Sequence, residues 1–429
     1  MKYSLDTYRL YLKETHFHYA MRIRVTMKEK VSANILRKSV NEAILRYPYF
    51  AKQVAVDDEG GFVLEPNNRE IVVVPVGRKA SDLCSEEVNG HFCYVVYQDK
   101  TIYFNMSHSL CGGKGVQPWV MTNVYQYVKN KYQIEPNAPG IRKIGEAFLE
   151  GEIEEPTWDM LSNEEAIYKS ESKNPVMLYG DYINGLFNPF LKDASYRLYT
   201  FKQKDIIRFA KENDASVQSF FTVAIAKMLD KALPEKYPVI GAKVAHNPSE
   251  DIGLPYSYKD LLSHIYIDYE RDMLKWDMEK LGIMTRGQIL LQKDPSNSSA
   301  QLKKLFTYYE GIDQAIGLKN KMEYAAKNNF GTGKGARKNT FICNYSGRVD
   351  WGEVAQYIED YAIIVEGHIV CEITSLADKI FLMLPQVMKT DKYANALNEV
   401  WNELGIPFEL EGPFPKLLPR HKLPMNYHE

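Results

Sequence analysis

The chain has 429 residues, with 53 lysines and arginines against 55 aspartates and glutamates, a net charge of −2. That balance excludes a protein whose main task is neutralising nucleic-acid phosphates, so no nucleic-acid partner is expected. Hydrophobic residues make up 45% and charged residues 25%, as in a globular protein long enough to bury a large core without disulfides or metals.

The five cysteines, Cys84, Cys93, Cys111, Cys343 and Cys371, are odd in number and form no C-x-x-C pair. They are expected to be reduced thiols in a cytoplasmic protein. The N-terminal MKYSLDTYRLYLKETHFHY lacks the apolar core of a signal peptide. No stretch approaches the ~18 uninterrupted apolar residues of a membrane helix, and no membrane partner is expected.

In Arg22–Met27, Ile23, Val25 and Met27 alternate with Arg22, Arg24 and Thr26, the period of a half-buried strand. Leu36, Val40, Ala43, Ile44 and Tyr47 fall on one helical face from about Ala33 to Arg46, with Ser32 as the N-cap. Pro48 ends that helix. Strands follow at Gly61–Leu64, Ile71–Val76, Phe92–Tyr97 and Thr101–Met106, the last two joined by the polar loop Gln98-Asp99-Lys100. The last strand runs into Ser107-His108, then the glycines 112, 113 and 115 and a helix from about Val116 to Lys131. From about Glu135 to Pro189, prolines and an acidic run around Glu150–Asp159 predict a long, partly helical crossover.

The second half restarts with a strand at Arg197–Phe201 and a helix from Ser216, its cap, to about Lys231. Tyr237–Ala245 reads as a buried strand. After strand Thr340–Cys343 and the loop Asn344–Trp351, a helix is expected through Val354, Ile358 and Tyr361. Strands Ala362–Glu366, Ile369–Thr374 and Ile380–Leu384 come next, then a helix over about Asp391–Leu404 with Gly405 at its left-handed C′ position, and a strand Pro407–Leu410. Mixed strands and helices in both halves predict a two-lobed α/β or α+β architecture, divided into residues 1–175 and 176–429.

A histidine at a strand end beside a glycine-rich turn is held rigidly while the glycines let a ligand approach. Imidazole also suits proton transfer near neutral pH. On these grounds alone His108 is more often a hydrogen-bonded core or surface residue than a catalyst.

The run Ser107-His108-Ser109-Leu110-Cys111-Gly112-Gly113 resembles the HHxxxDG motif of the condensation-domain and acyl-CoA-dependent acyltransferase superfamily, which includes alcohol acetyltransferases and chloramphenicol acetyltransferase. Arg46-Tyr47-Pro48-Tyr49-Phe50 is similar to the end of that family's first helix, and Ser216–Lys231 to its helix after the crossover. Cys343-Asn344-Tyr345-Ser346-Gly347-Arg348-Val349-Asp350 resembles its Ser/Asn-x-x-Gly-Arg loop, and Trp401-Asn402-Glu403-Leu404-Gly405-Ile406-Pro407 its closing helix and strand. The pieces span nearly the whole chain in the family's order.

The resemblance implies a fold of two chloramphenicol-acetyltransferase-like lobes with a tunnel between them. It implies His108 as general base, with Gly113 on the motif's final glycine. It also implies direct acyl transfer from acyl-CoA, as co-substrate, to a small alcohol or amine, with no permanently bound cofactor and no covalent intermediate. Asn344, Ser346 and Trp351 become candidates for oxyanion donors or pocket walls. Two positions depart from the motif: Ser107 replaces the first histidine and Gly112 the aspartate, which in the family pairs with an arginine. Arg348 is the candidate for that arginine, left to find another acceptor, face solvent or bind an anion. A condensation-type domain using acyl-carrier proteins, and a degenerate binding protein without catalysis, are the alternatives.

The basic run Gly331–Lys338 fails the phosphate-loop pattern because Lys334 is followed by glycine. Lys334, Arg337 and Lys338 form either a surface loop or a loop near CoA phosphates. No G-x-S-x-G elbow occurs, a nucleophilic Cys111 is disfavoured against packing, and His16 and His18 lack the pattern of a zinc site, so no metal is assigned.

Overall fold

A computed structural model describes residues 1–12, 16–17, 19–178, 190–328, 337–388 and 390–424. The first half carries β1 (His16–Phe17), β2 (Ala20–Met27), β3 (Lys52–Val56), β4 (Phe62–Pro66), β5 (Val73–Pro75), β6 (Cys93–Gln98) and β7 (Thr101–Ser107). The second half carries β8 (Phe190–Lys202), β9 (Val239–His246), β10 (Ser263–Glu270), β11 (Phe341–Tyr345), β12 (Ile358–Val365), β13 (Val370–Leu376), β14 (Lys379–Met388), β15 (Glu409–Pro415) and β16 (His421–Lys422). They build a five-stranded sheet, β12-β2-β7-β6-β5, and a seven-stranded mixed sheet, β10-β9-β11-β13-β14-β8-β15. Helices and mixed sheets together make the α+β class read from the sequence.

In the smaller sheet, Met21, Ile23, Val25 and Met27 pack with Leu36, Val40, Val116, Val120, Val124 and Tyr127 of the helices Ala33–Ala43 and Gly113–Tyr132. The opposite face of β2 was expected to be exposed and is buried. Arg24 pairs with Asp360 at 3.0 Å and lies 4.0 Å over the Phe414 ring, while Arg22 donates to the Leu417 carbonyl at 3.0 Å. The cause is long-range. Phe414 of β15, Tyr196 of β8 and the segment around Leu417, all from the second half, lie over that face, and Asp360 reaches Arg24 from the neighbouring strand β12.

The helix expected through Val354, Ile358 and Tyr361 is instead a 3₁₀ turn, Gly352–Tyr357, followed by β12. Its isoleucines favour extended backbone, and pairing with β2 satisfies their main chain. Residues 358–365 lie far past the boundary read at residue 175, yet they form an edge of the first sheet.

One face of the large sheet packs under the helices Val217–Ala232 and Lys392–Glu403, around Phe220, Phe221 and Trp401. Ser216 caps the first of these in a full capping box with Ser219, and Gly405 sits at φ +64° after the second. Between residues 246 and 340, β10 and the helices Met278–Gln292, Pro295–Gln314 and Leu318–Asn328 had not been read from the sequence. Their starts were marked, since Asp277 and Asp294 accept capping bonds and Pro295 opens its helix.

The acidic stretch of the crossover is not a solvated linker throughout. Glu152 is fully buried and accepts two hydrogen bonds from Arg46 at 2.8 Å, one from Tyr49 at 2.6 Å and one from the Leu149 amide at 2.8 Å. Arg142 adds an ion pair at 3.1 Å. Burial alone would raise this carboxyl, but Arg46 and Tyr49 outweigh it and hold its pKa below the ordinary value. Glu152→Ala strands two arginines and is expected to cost about 3–5 kcal/mol in urea unfolding. Because the folded pKa is depressed, the Glu152 contribution is present above the ordinary carboxylate pKa and is lost as pH falls through the folded one. A Glu152→Gln variant should therefore show a flatter decline in stability on acidification than the wild type.

Candidate active site

β7 carries the chain to Ser107, and the His108 amide then donates to the Tyr19 carbonyl at 2.7 Å, continuing the β2–β7 pairing by one residue. The Tyr19 ring stacks on the imidazole at 4.9 Å. The His108 side chain is 20% exposed, so the ring is held but not sealed in core.

Nδ1 of His108 lies 3.2 Å from Oδ2 of Asp260, an ion-pair distance whose angle falls short of a good hydrogen bond. Oδ2 also faces Nη1 of Arg9 at 3.0 Å, and Arg9 bonds the Tyr19 hydroxyl. Burial would raise the Asp260 carboxyl; Arg9 first, then His108, outweigh it and keep the pKa below the ordinary value. A negative charge thus stands behind Nδ1, and Nε2 is the ring nitrogen that Asp260 does not face.

The glycines explain how Asp260 reaches this position. Gly112 is the N-cap of the helix Gly113–Tyr132, and a Cβ there would lie 2.9 Å from Oδ1 of Asp260. A Cβ on Gly115 would collide with the Tyr258 carbonyl. Two bare positions on the first turn therefore let residues 258–260 lie against the helix. That segment is anchored by Tyr258 donating to Asp6 at 2.6 Å and by Lys259, paired with Asp6 at 3.3 Å and Glu155 at 2.6 Å. Gly113 meets nothing within 4 Å.

The other departure from the motif is answered in the same way. Ser107 bonds Ser109 and the buried His421, whose Nε2 is 2.7 Å from the serine Oγ. An imidazole thus adjoins Ser107, and a carboxylate lies against Gly112. Neither Asp260 nor His421 was singled out from the sequence. The only signal was the pair of departures itself, since an emptied motif position leaves room for something else.

The remaining candidates make contacts of their own. Arg348 is exposed, and the arginine that takes the carboxylate is Arg9. Asn344 accepts the Ala245 amide at 2.9 Å and donates to Glu372 at 2.7 Å, so both ends of its side chain are engaged. The Ser346 amide and hydroxyl both go to the Ile373 carbonyl, at 2.9 and 3.2 Å. Trp351 is buried against Tyr361, with ring centroids 5.5 Å apart. Arg337 ties the crossover to the sheet, donating to the Ser170 carbonyl at 2.7 Å and pairing with Asp268 at 3.2 Å. Lys338 is exposed, and Lys334 lies outside the described residues. The Cys111 thiol is buried, and that burial pushes its pKa well above the ordinary value.

Beside His108, the inner face of the large sheet is polar. Register places His264, Ala245, Asn344 and Glu372 in one row across β10, β9, β11 and β13, and Tyr266, Lys243, Ile342 and Val370 in the next. Burial pushes the Glu372 carboxyl up to about 7, offset in part by Asn344 and by the charge of His108.

No protein-family model matches the chain, and no curated protein matches it in sequence. Its fold has clear counterparts among solved structures. The Fusarium sporotrichioides TRI101 structure complexed with coenzyme A and T-2 superimposes with a TM-score of 0.58 at 12% identity, over 96% of this chain and 99% of that one. The trichothecene 15-O-acetyltransferase TRI3 from F. sporotrichioides gives 0.54 at 14% identity, over 94% and 95%. The condensation domain of the Monacolin K polyketide synthase MokA gives 0.53 at 11%, over 94% and 96%. The chain therefore has, along nearly its whole length, the fold shared by TRI101, TRI3 and the MokA condensation domain.

Proposed function

We propose that this protein is an acyltransferase that moves a short acyl group from a thioester, acyl-CoA, to the hydroxyl or amine of a small molecule in the cytoplasm. The observation that carries this reading is the partly exposed His108 imidazole backed by the Asp260 carboxylate and Arg9. The two lobes, residues 1–175 and 176–429 with β12 returned to the first sheet, would meet at this site.

In the proposed step, Nε2 of His108 accepts the acceptor's proton as its oxygen or nitrogen bonds to the thioester carbonyl carbon. The tetrahedral intermediate collapses, the carbon–sulfur bond breaks, and the imidazolium returns the proton to the departing thiolate. Asp260 stays ionised throughout. It fixes the ring and stabilises the imidazolium, as a carboxylate behind a catalytic histidine does. No covalent acyl-enzyme and no permanent cofactor enter this scheme. The likeness to the MokA domain favours a second reading, transfer from a carrier-protein thioester at the same histidine. A non-catalytic role gains little from the departures at Ser107 and Gly112 on this reading, because His421 adjoins Ser107 and the Asp260 carboxylate lies against Gly112.

His108→Ala is expected to lower the turnover of a panel of acyl-CoAs and a loaded carrier protein by roughly 10²–10⁴-fold. A variant as active as the wild type with every donor would sink the mechanism. Turnover by the carrier protein alone would decide for the second donor.

The relocated carboxylate has its own test. Asp260→Gly should lower kcat with little change in KM, and Gly112→Asp added to it should recover at least about tenfold, because the motif aspartate then enters the space that Asp260 vacates. A double variant no better than Asp260→Gly, with both folded by circular dichroism, would show that Asp260 does not position His108.

A further inference from the structure

The inner face of the large sheet carries a cation, Lys243, that has no counter-ion among the described residues. Along β9, Ile240, Ala242 and Val244 enter the apolar core, which turns Gly241, Lys243 and Ala245 to the opposite face. Register sets Lys243 across from Tyr266 on β10 and beside Ile342 on β11. This is the face that also presents His264, Asn344 and Glu372, and Glu372 feels the charge of His108. Lys243 is enclosed by protein yet keeps partial access to solvent.

No carboxylate answers it. Among the described residues, the Lys243 ammonium has neither a hydrogen bond nor an ion pair, and the charge that acts on it most is Arg9, of the same sign. The acids of this region are otherwise engaged. Asp260 holds Arg9 and His108, Asp268 holds Arg337 and the Lys173 amide, and Glu372 accepts from Asn344. His264 adds no charge of either sign, since burial, Lys243 and Arg9 keep its pKa well below the ordinary value and its ring neutral. An enclosed ammonium without a partner is costly, and function is a common reason for retaining one.

We propose that Lys243 binds a carboxylate carried by the acyl group or by the acceptor in acyl transfer, with Tyr266 and Ile342 as the neighbouring walls. This inference rests on the acyltransferase reading of the His108 site. It narrows the substrates to pairs in which either the acyl group or the acceptor is an acid. Burial and Arg9 lower the Lys243 pKa to about 8, so the amine is still largely protonated at neutral pH, and a bound anion would raise it again.

The test reads binding in His108→Ala protein, where no turnover intervenes. One arm compares succinyl-CoA with butyryl-CoA, acyl groups of equal length that differ in a terminal carboxylate. The other compares hydroxybutyrate with butanol in the presence of CoA. In one arm the anionic member is expected to bind at least about tenfold more tightly. Lys243→Met should bring that ratio close to unity, and Lys243→Arg should preserve most of it. The responding arm tells whether the acid belongs to the acyl group or to the acceptor. No preference in either arm, or one that survives Lys243→Met, overturns the proposal. Since His108 is absent from this measurement, such a failure leaves acyl transfer standing, and a failure of the His108 turnover test leaves the anion preference measurable.

Discussion

Asp260 is where the two halves of the chain meet chemically. Its carboxylate is almost completely buried, and a buried charge survives only where partners surround it. Arg9, from the N-terminal residues, supplies the cation, and His108, at the end of β7, supplies the ring. The same carboxylate needs Gly112 and Gly115 to be bare, and it needs Tyr258 and Lys259 to be anchored on Asp6 and Glu155. Much of the local sequence that looks like a degraded motif is accommodation for this one group.

Charge then divides the inner face of the large sheet. Toward β14 and β8 the residues are apolar, and Leu198, Met383 and Phe381 pack toward the smaller sheet. Toward β9 and β10 the face carries Lys243, His264 and Tyr266, while Asn344 and Glu372 lie between. The apolar part holds the sheets together, and the polar part stays partly accessible beside the histidine.

What was legible in the sequence follows from the range of each interaction. The strand ending at His108, the capped helix from Ser216, Gly405 at its left-handed position and the Arg46-Tyr47-Pro48 turn are local patterns, and each appears where its pattern put it. Arg22 and Arg24 were misplaced because alternation says that one face differs from the other, not that the polar face is uncovered. The first half of β12, Ile358–Tyr361, was read as helix because its partner lies more than three hundred residues away, while the strand read from Ala362 is its second half. Asp260 was illegible for the same reason: nothing near it marks it among 55 acidic residues. Gly112 was legible as a loss, and only three-dimensional proximity turns that loss into a vacancy that another residue fills.

The position of β12 also bears on how this chain comes to exist in a cell. A ribosome releases residues 1–175 long before residues 358–365 emerge. Until they do, β2 lies at an open edge, with Arg22 and Arg24 bare and main-chain groups unpaired. The smaller sheet is therefore incomplete until residues 358–365 emerge. Its folding must wait for them or be shielded meanwhile, which makes the nascent chain a natural client for chaperones and residues 1–175 a poor candidate for expression on their own.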